Sequence, residues 1–420
     1  MTHLKSCTKS QVLLNRDASF RYAYFPSIDA AGTDWDAVAP PHNIFLQRDY
    51  LRVLENYPPD DMRFAYLVFY KNEQPIGISY CQIKNFRADT NIRDEKESAK
   101  NPCFFTGLAK GFRKWVATKM SADILISGNM LLSGEHGFRF LPDTLSEAEQ
   151  IAILDEAWKD LIKIKEKEDV KMPVILVKDI SEYHKEQSKL VQQQAFVQFE
   201  IQPCMAMPLP FESFDAYLQS MSTKYRTRAK RAFKKAQGIE KREMTLADIQ
   251  RELPRIYDLY LDIAENAGFN MVDLNRDYLP GLKAGLGNKF RMFAYYEGDN
   301  LLAFYTIIEN NHELEAHFLG YDKEQNHDKQ LYLNILYDIV RHGIELKSEV
   351  LVLARTALEI KSSIGALPTQ YYCYLRHQNN ITNKLTGHVL EYMKPVEEWQ
   401  PRHPFKEPVE LSKELLIETK

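Results

Sequence analysis

Residues 67–83, LVFYKNEQPIGISYCQI, and residues 292–308, MFAYYEGDNLLAFYTII, spell one hairpin twice in a chain of 420 residues. Each has an apolar run, a polar turn and a returning apolar run. The first turn is Asn72-Glu73, and the second is EGDN at 297–300, where Gly298 tolerates positive φ. The segments after the two hairpins also match. The first hairpin leads to the strand DILISG (Asp123 to Gly128). A helix, SEAEQIAILDEAWKDLIKIKEKE, comes next with Ser146-x-x-Glu149 as a capping box, then the buried strand VILV (Val174 to Val177). The second leads to LEAHFLGY, the helix DKQLYLNILYDIVRHGIEL and the strand VLVLA. Both halves therefore read hairpin, strand, helix, strand. Period-2 strands beside period-3.6 helices predict an α/β chain with mixed sheets, built from two similar units.

The boundary falls near residues 190–205, where QQQAFVQFEIQPCMAMPLP ends in Pro208 and Pro210. We expect one domain over 20–195, a second over 196–395 and a tail over 396–420. One helix over FESFDAYLQSMSTKYRTRAKRAFKKAQG, stopped by Gly238, opens the second unit, and another spans about Leu246 to Ala267. With 45% apolar and 27% charged residues the chain can bury real cores, and its net charge of −4 argues against DNA as a partner. The five cysteines (Cys7, Cys81, Cys103, Cys204, Cys373) form no C-x-x-C, so neither a metal site nor a disulfide framework is expected. The first twenty residues lack a signal-peptide core and no window approaches 18 consecutive apolar residues. A cytoplasmic protein with free thiols is the expectation, either soluble or peripheral on the inner face of the membrane.

The element order, together with STKYRTRAKRAFKKAQG, HFLGYDKEQNHDKQLYLNILYDIVRHGIE and RTALEIKSSIGALP, resembles the GNAT acyltransferases. Two such units in one chain resemble the tandem-GNAT proteins related to the Fem-type peptidyl transferases, over roughly residues 20–395. The resemblance implies two GNAT-like domains in tandem. It also implies transfer of an acyl group from an activated carrier, acyl-CoA as co-substrate, to an amine of a small-molecule or lipid acceptor.

Such a transfer must deprotonate the amine, polarise the carbonyl and reprotonate the leaving group. Glu315 and His317 alternate with Ala316 and Phe318, so one face of that strand offers a carboxylate and an imidazole as base and orienter. Asn334, Tyr337 and Arg341 share a helix face. The resemblance implies that Asn334 touches the carrier and that the Tyr337 phenol protonates the leaving thiolate. Carrier pyrophosphate would be expected at this helix's N-terminus, yet LGYDKEQNHDKQ holds only Gly320 and several acids. The loop SGNMLLSGEHGF, with Gly128, Gly134 and Gly137, is the richer phosphate or acceptor loop. Thr356-x-x-Glu359 reads as a capping box, leaving Arg355 and Lys361 to clamp a phosphate or carboxylate. No Ser or Cys sits in a nucleophile motif, so direct attack on the thioester is expected, with no permanently bound cofactor and no metal.

Lys224, Arg226, Arg228, Lys230 and Arg231 crowd one helix with no acid among them, which makes a local field for anions. FFTGLAKGFRKWVATKM, residues 104–120, is basic and aromatic, a pattern that fits a membrane-surface helix or packing on a sheet. Two alternatives stay open. One is a Fem-type aminoacyl-tRNA-dependent transferase acting on a peptidoglycan precursor, the one case in which tRNA is a partner. The other is a non-catalytic binding protein that kept the fold.

Overall fold

Both hairpins form because their turn residues adopt positive φ: Asn72 and Glu73 in the first, Gly298 in the second. The computed structural model describes residues 13–15, 19–87, 121–264, 272–392 and 399–409. Residues 104–120 lie outside the described residues. The strands are β1 (Leu13–Asn15), β2 (Phe20–Phe25), β3 (Arg63–Lys71), β4 (Gln74–Arg87), β5 (Ser121–Ser127), β6 (Phe138–Phe140), β7 (Val174–Ser181) and β8 (Val197–Glu200). The second half adds β9 (Cys204–Pro208), β10 (Glu240–Glu243), β11 (Phe290–Glu297), β12 (Asn300–Asn310), β13 (Glu313–Tyr321), β14 (Val350–Val352), β15 (Leu367–Thr369) and β16 (Tyr371–His377). Helices α1 (Ile28–Asp36), α2 (Arg48–Asn56), α3 (Glu147–Glu166) and α4 (Lys185–Gln193) belong to the first half. The second half carries α5 (Phe214–Ser220), α6 (Thr223–Lys235), α7 (Leu246–Ala264), α8 (Tyr278–Leu286), α9 (Lys323–Lys329), α10 (Leu331–Glu345), α11 (Leu358–Ser362) and α12 (Asn380–Tyr392).

Two mixed sheets result. The first runs β1-β2-β3-β4-β5-β7-β16-β8 with β6 on β4, and the second β10-β11-β12-β13-β14-β9-β15. In each, the strand after the hairpin is antiparallel to it and then pairs parallel with the strand after the long helix: β5 with β7, β13 with β14. The sheets do not follow chain order 20–195 then 196–395. β8 still belongs to the first sheet and β9 enters the second. β16 returns to the first sheet, inserted between β7 and β8.

The core is layered. Trp158, Leu154 and Leu161 of α3 pack on the outer face of the first sheet. Helices α1, α2, α7 and α8 fill one cluster shared by both sheets, from Tyr66, Val68 and Tyr80 to Met292, Ala294 and Phe304. On the far face of the second sheet, α5, α6 and α10 bury Tyr217, Tyr225, Ile335 and Tyr337.

Three local expectations are corrected. The helix over 211–238 is two, because Met221 turns extended to bridge Phe405 and Ser222 N–H donates to the Pro404 carbonyl. The helix over 328–346 is also two, broken by Gln330 in the left-handed region. The Thr356–Glu359 capping box does not form: Thr356 and Ala357 take positive φ, and Glu359 pairs with Arg402 instead. The Ser146–Glu149 box is present.

Candidate active site at the β13–β14 wedge

The parallel ladder between β13 and β14 lasts three residues, Glu313–Val350 to Glu315–Val352. β13 then continues alone to Tyr321, while the chain leaves β14 through Ala354, Thr356 and Ala357, all at positive φ. A wedge opens with Glu315 at its apex. A β-bulge lies directly beyond it: Tyr305 faces Leu319 and Ile307 faces Ala316, so Thr306 opposes both His317 and Phe318. The Thr306 hydroxyl closes the gap, accepting from Phe318 N–H at 2.8 Å and donating to the Phe318 carbonyl at 2.9 Å. Strict alternation would have sent Phe318 to the face opposite His317. The bulge puts both against Tyr278 of α8.

Glu315 is buried, and its carboxylate has no hydrogen-bonding partner among the described residues. Desolvation raises its pKa well above the ordinary carboxylate range; neighbouring Glu313 adds to this, and Lys361 opposes it. Burial likewise lifts Glu313 to about 7. His317 is half-buried, its Nε2 3.0 Å from the Tyr278 hydroxyl and its Nδ1 without a partner among the described residues. Desolvation lowers its pKa to about 3, so the ring is neutral near pH 7. Tyr278 lies 3.4 Å from Tyr50 of α2, whose hydroxyl accepts from Asn129 Nδ2 at 3.2 Å.

The other lip of the wedge carries Arg355 and Lys361. Arg355 donates to the Gln202 carbonyl (2.9 Å), Ser133 Oγ (2.8 Å) and Asp179 Oδ1 (2.7 Å). Lys361 is buried and donates to the Arg355 carbonyl at 2.6 Å. Desolvation lowers its pKa to about 8 against the pull of Glu315. The loop 128–137 reaches this place from the first half. Gly134 N–H donates to Asp179 Oδ2 at 3.0 Å, and Lys178, beside it, donates to the Leu132 carbonyl at 2.7 Å. Gly128 and Gly137 serve close packing: a Cβ on either would fall 2.9 Å from Lys178 Cβ or 2.7 Å from Ser127 Oγ. So Glu315, His317, Arg355, Lys361 and the glycine loop share one side of the second sheet, where the two halves meet.

Asn334 and Tyr337 lie on the other side. Asn334 Nδ2 donates to the carbonyls of Gln330 (2.9 Å), Ala232 (3.0 Å) and Lys329 (3.3 Å), which ties α10 to α6. Tyr337 is buried against Phe233 and Tyr217, its hydroxyl has no partner among the described residues, and desolvation raises its pKa to about 12. At the start of α10 the Tyr332 N–H already donates to Asn326 Oδ1 of α9, so the protein itself fills part of that helix terminus. On α6, Lys224, Arg228, Lys230 and Arg231 are exposed and have no ion-pair partner among the described residues, while Arg226 reaches the Gln219 carbonyl at 3.5 Å. Beside them is a pocket of about 400 Å³ lined by Lys224, Tyr225, Arg228, Glu359, Ile360 and Arg402.

Sequence reading missed Tyr50, Asn129, Asp179, Tyr278 and Arg402. Tyr278 meets a residue 228 positions away, and no spacing rule reports such a contact. The isolated buried polar groups become visible only once the sheets are paired.

Residues 223–362 match the family model described as "Acetyltransferase (GNAT) domain", a span that runs from α6 to the end of α11. No curated protein matches. Among solved structures, a tandem GNAT protein from the clavulanic acid biosynthesis pathway is similar at 9% identity and TM-score 0.49, covering 86% of this chain and 99% of that one. FemX is similar at 10% identity and TM-score 0.46, covering 80% and 97%. L-PGS from Bacillus licheniformis is similar at 11% identity and TM-score 0.42, covering 81% and 95%.

Proposed function

We propose, from the premise that this chain has a GNAT/Fem-like acyltransferase fold with its GNAT domain at residues 223–362, that it transfers an acyl group to an amine through the β13–β14 wedge. The observation that carries the reading is the short parallel ladder with an unpartnered buried carboxylate at its apex. The acceptor amine enters from the side where the halves meet. Glu315 takes its proton: it is the buried carboxylate at the apex of the wedge, and desolvation strengthens its hold on a proton. His317 lies one strand pleat further on and touches the carbonyl. The donor lies on the α6–α10 side, its phosphates drawn to Lys224, Arg228 and the neighbouring pocket. Tyr337 then protonates the departing group. Lys361 and Arg355 hold the far lip, and the Asp179 carboxylate offsets their charge.

Acyl-CoA is the donor in this reading, and the acceptor is an amine of a small molecule or lipid. A second reading, an aminoacyl ester carried on tRNA, draws support from Lys224, Arg228, Lys230 and Arg231 of α6, exposed and without ion-pair partners among the described residues, and from Asn326 occupying the start of α10. No helix among the described residues is long and apolar enough to cross a membrane. Thermal melts separate the donors, because a ligand that binds only the native state raises its stability. Acetyl-CoA and a long-chain acyl-CoA at saturating concentration should raise Tm by a few degrees, and Arg228→Glu should abolish the shift. A shift with tRNA alone, steeply salt-dependent, would select the second reading.

A further inference from the structure

The first unit reaches the wedge through a chain of hydrogen bonds whose direction can be read. The Gln82 amide is oriented by the Met130 backbone, whose N–H donates to Gln82 Oε1 at 2.8 Å. Gln82 Nε2 therefore faces Tyr80 and Asn129 Oδ1, at 2.7 and 3.3 Å. Asn129 is oriented in the same way, because Leu131 N–H donates to its Oδ1 at 3.0 Å. Its Nδ2 must then be the donor to the Tyr50 hydroxyl. Tyr50 is fully buried, and the remaining acceptor among its partners is the Tyr278 oxygen at 3.4 Å. Tyr278, also fully buried, passes its own proton on to His317 Nε2 at 3.0 Å. The reverse direction would leave the Tyr50 proton without an acceptor, and an orphaned buried donor is disfavoured.

We infer that this chain fixes His317 as the Nδ1–H tautomer, and that this buried N–H, unpartnered among the described residues, is a donor for a substrate oxygen: the acyl carbonyl and the oxyanion that develops on it. The inference rests on the acyl-transfer reading for the identity of that oxygen, but not for the tautomer. It divides the labour at the wedge. Glu315 handles the proton of the amine, and His317 holds the oxygen. Tyr278, Tyr50 and Asn129 are positioning residues. Half of the relay comes from the first unit, so the duplicate module is a working part of the second unit's site. When the amine attacks, the C–N bond forms, the carbonyl π pair moves onto oxygen against the Nδ1–H, and the carrier's C–S bond breaks as the oxyanion collapses. His317 ends with the proton it began with.

The test uses the full-length protein labelled with ¹⁵N-histidine, with His317 assigned by its loss in His317→Gln. Long-range ¹H–¹⁵N correlation at neutral pH should show His317 with a protonated Nδ1 and a bare Nε2. Asn129→Asp reverses the relay. A carboxylate accepts from Tyr50, Tyr50 then accepts from Tyr278, and Tyr278 accepts from His317, so the protonated nitrogen should switch to Nε2. If that variant does not fold, Tyr50→Phe removes the constraint at smaller structural cost and should raise the Nε2–H population. With acetyl-CoA turnover as the second readout, His317→Gln should lower kcat by about 100-fold, as loss of one oxyanion donor does, with KM little changed. An Nε2–H pattern in the unmodified protein, or an unchanged pattern in both relay variants, overturns the inference. Should the tautomer hold while acetyl-CoA is neither bound nor turned over, the donor assignment fails and the relay stands.

Discussion

At the residue scale, burial decides how Glu313, Glu315 and Tyr337 behave: Glu313 accepts one long hydrogen bond, from Asn310 Nδ2 at 3.4 Å, and the Tyr337 hydroxyl has no partner among the described residues. The carboxyl of Glu313 moves from its ordinary value near 4.5 up to about 7, chiefly through desolvation. A folded-state pKa above the unfolded one means that the native chain keeps a proton which the unfolded chain has shed. That contribution is complete below about 4.5 and lost as pH rises through about 7. Glu313→Gln cannot lose it. The gain in stability of this variant over the unmodified protein should therefore be small at pH 5 and reach about 2–3 kcal/mol at pH 8, read from urea melts at the two values. Glu315→Gln should follow the same sign while lowering kcat by at least about 100-fold, the separation of stability from activity expected where a buried base is kept for chemistry. Tyr337→Phe removes a hydroxyl that has no partner, so Tm should stay level or rise. Its kcat should fall by about 10–100-fold if the phenol serves the leaving group, and a variant with full activity would move that role elsewhere.

At the element scale, much was legible. Hairpins, apolar periods and the Ser146–Glu149 capping box announce themselves locally, and the repeated hairpin, strand, helix, strand order stands in the structure twice. The polar positions Glu315 and His317 were also visible, as ionisable residues interrupting an apolar strand. The breaks were less visible. Met221 and Ser222 sit inside a run with good helix-forming residues, and the backbone is opened there by the tail at Pro404 and Phe405, far off in sequence. The bulge at His317 was equally hidden, because it depends on Thr306 across the ladder. Gly320 shows how tightly the wedge is walled: a Cβ there would fall 2.6 Å from the Leu259 carbonyl carbon of α7 and 2.6 Å from the Phe304 ring. Backbone cannot swing aside as a long side chain can. Gly320→Ala should destabilise by about 2–3 kcal/mol in urea and lower kcat as α7 is pushed from β13. An alanine variant with unchanged melt and turnover would mean that this wall yields.

At the scale of the whole molecule, the sheets extend past the unit of repetition. Two modules were readable from their repeats, but their exchange of strands was not, since β8, β9, β15 and β16 are short and interchangeable by pattern. The exchange appears in the hydrogen-bond ladders: β9 completes the second sheet and β16 is inserted in the first. Removing either half would therefore open a ladder in the other. Arg376 of β16 makes the coupling testable. It is buried, pairs with buried Asp155 of α3, donates to the Gln194 carbonyl at 2.9 Å and stacks on Phe196. Breaking a buried pair strands a charge, at about 3–5 kcal/mol. Asp155→Ala should thus lower the midpoint of urea unfolding strongly, although Asp155 belongs to the first half and Arg376 to the second. The decisive readout is whether the second core moves with the first. Trp158 emission, reporting the first core, and a single-tryptophan version retaining Trp399 against the second core should lose structure at one shared midpoint, before and after the substitution. Two midpoints, with only the Trp158 signal shifted by Asp155→Ala, would mean that the modules unfold separately and that β16 docks on the first sheet without tying its stability to the second.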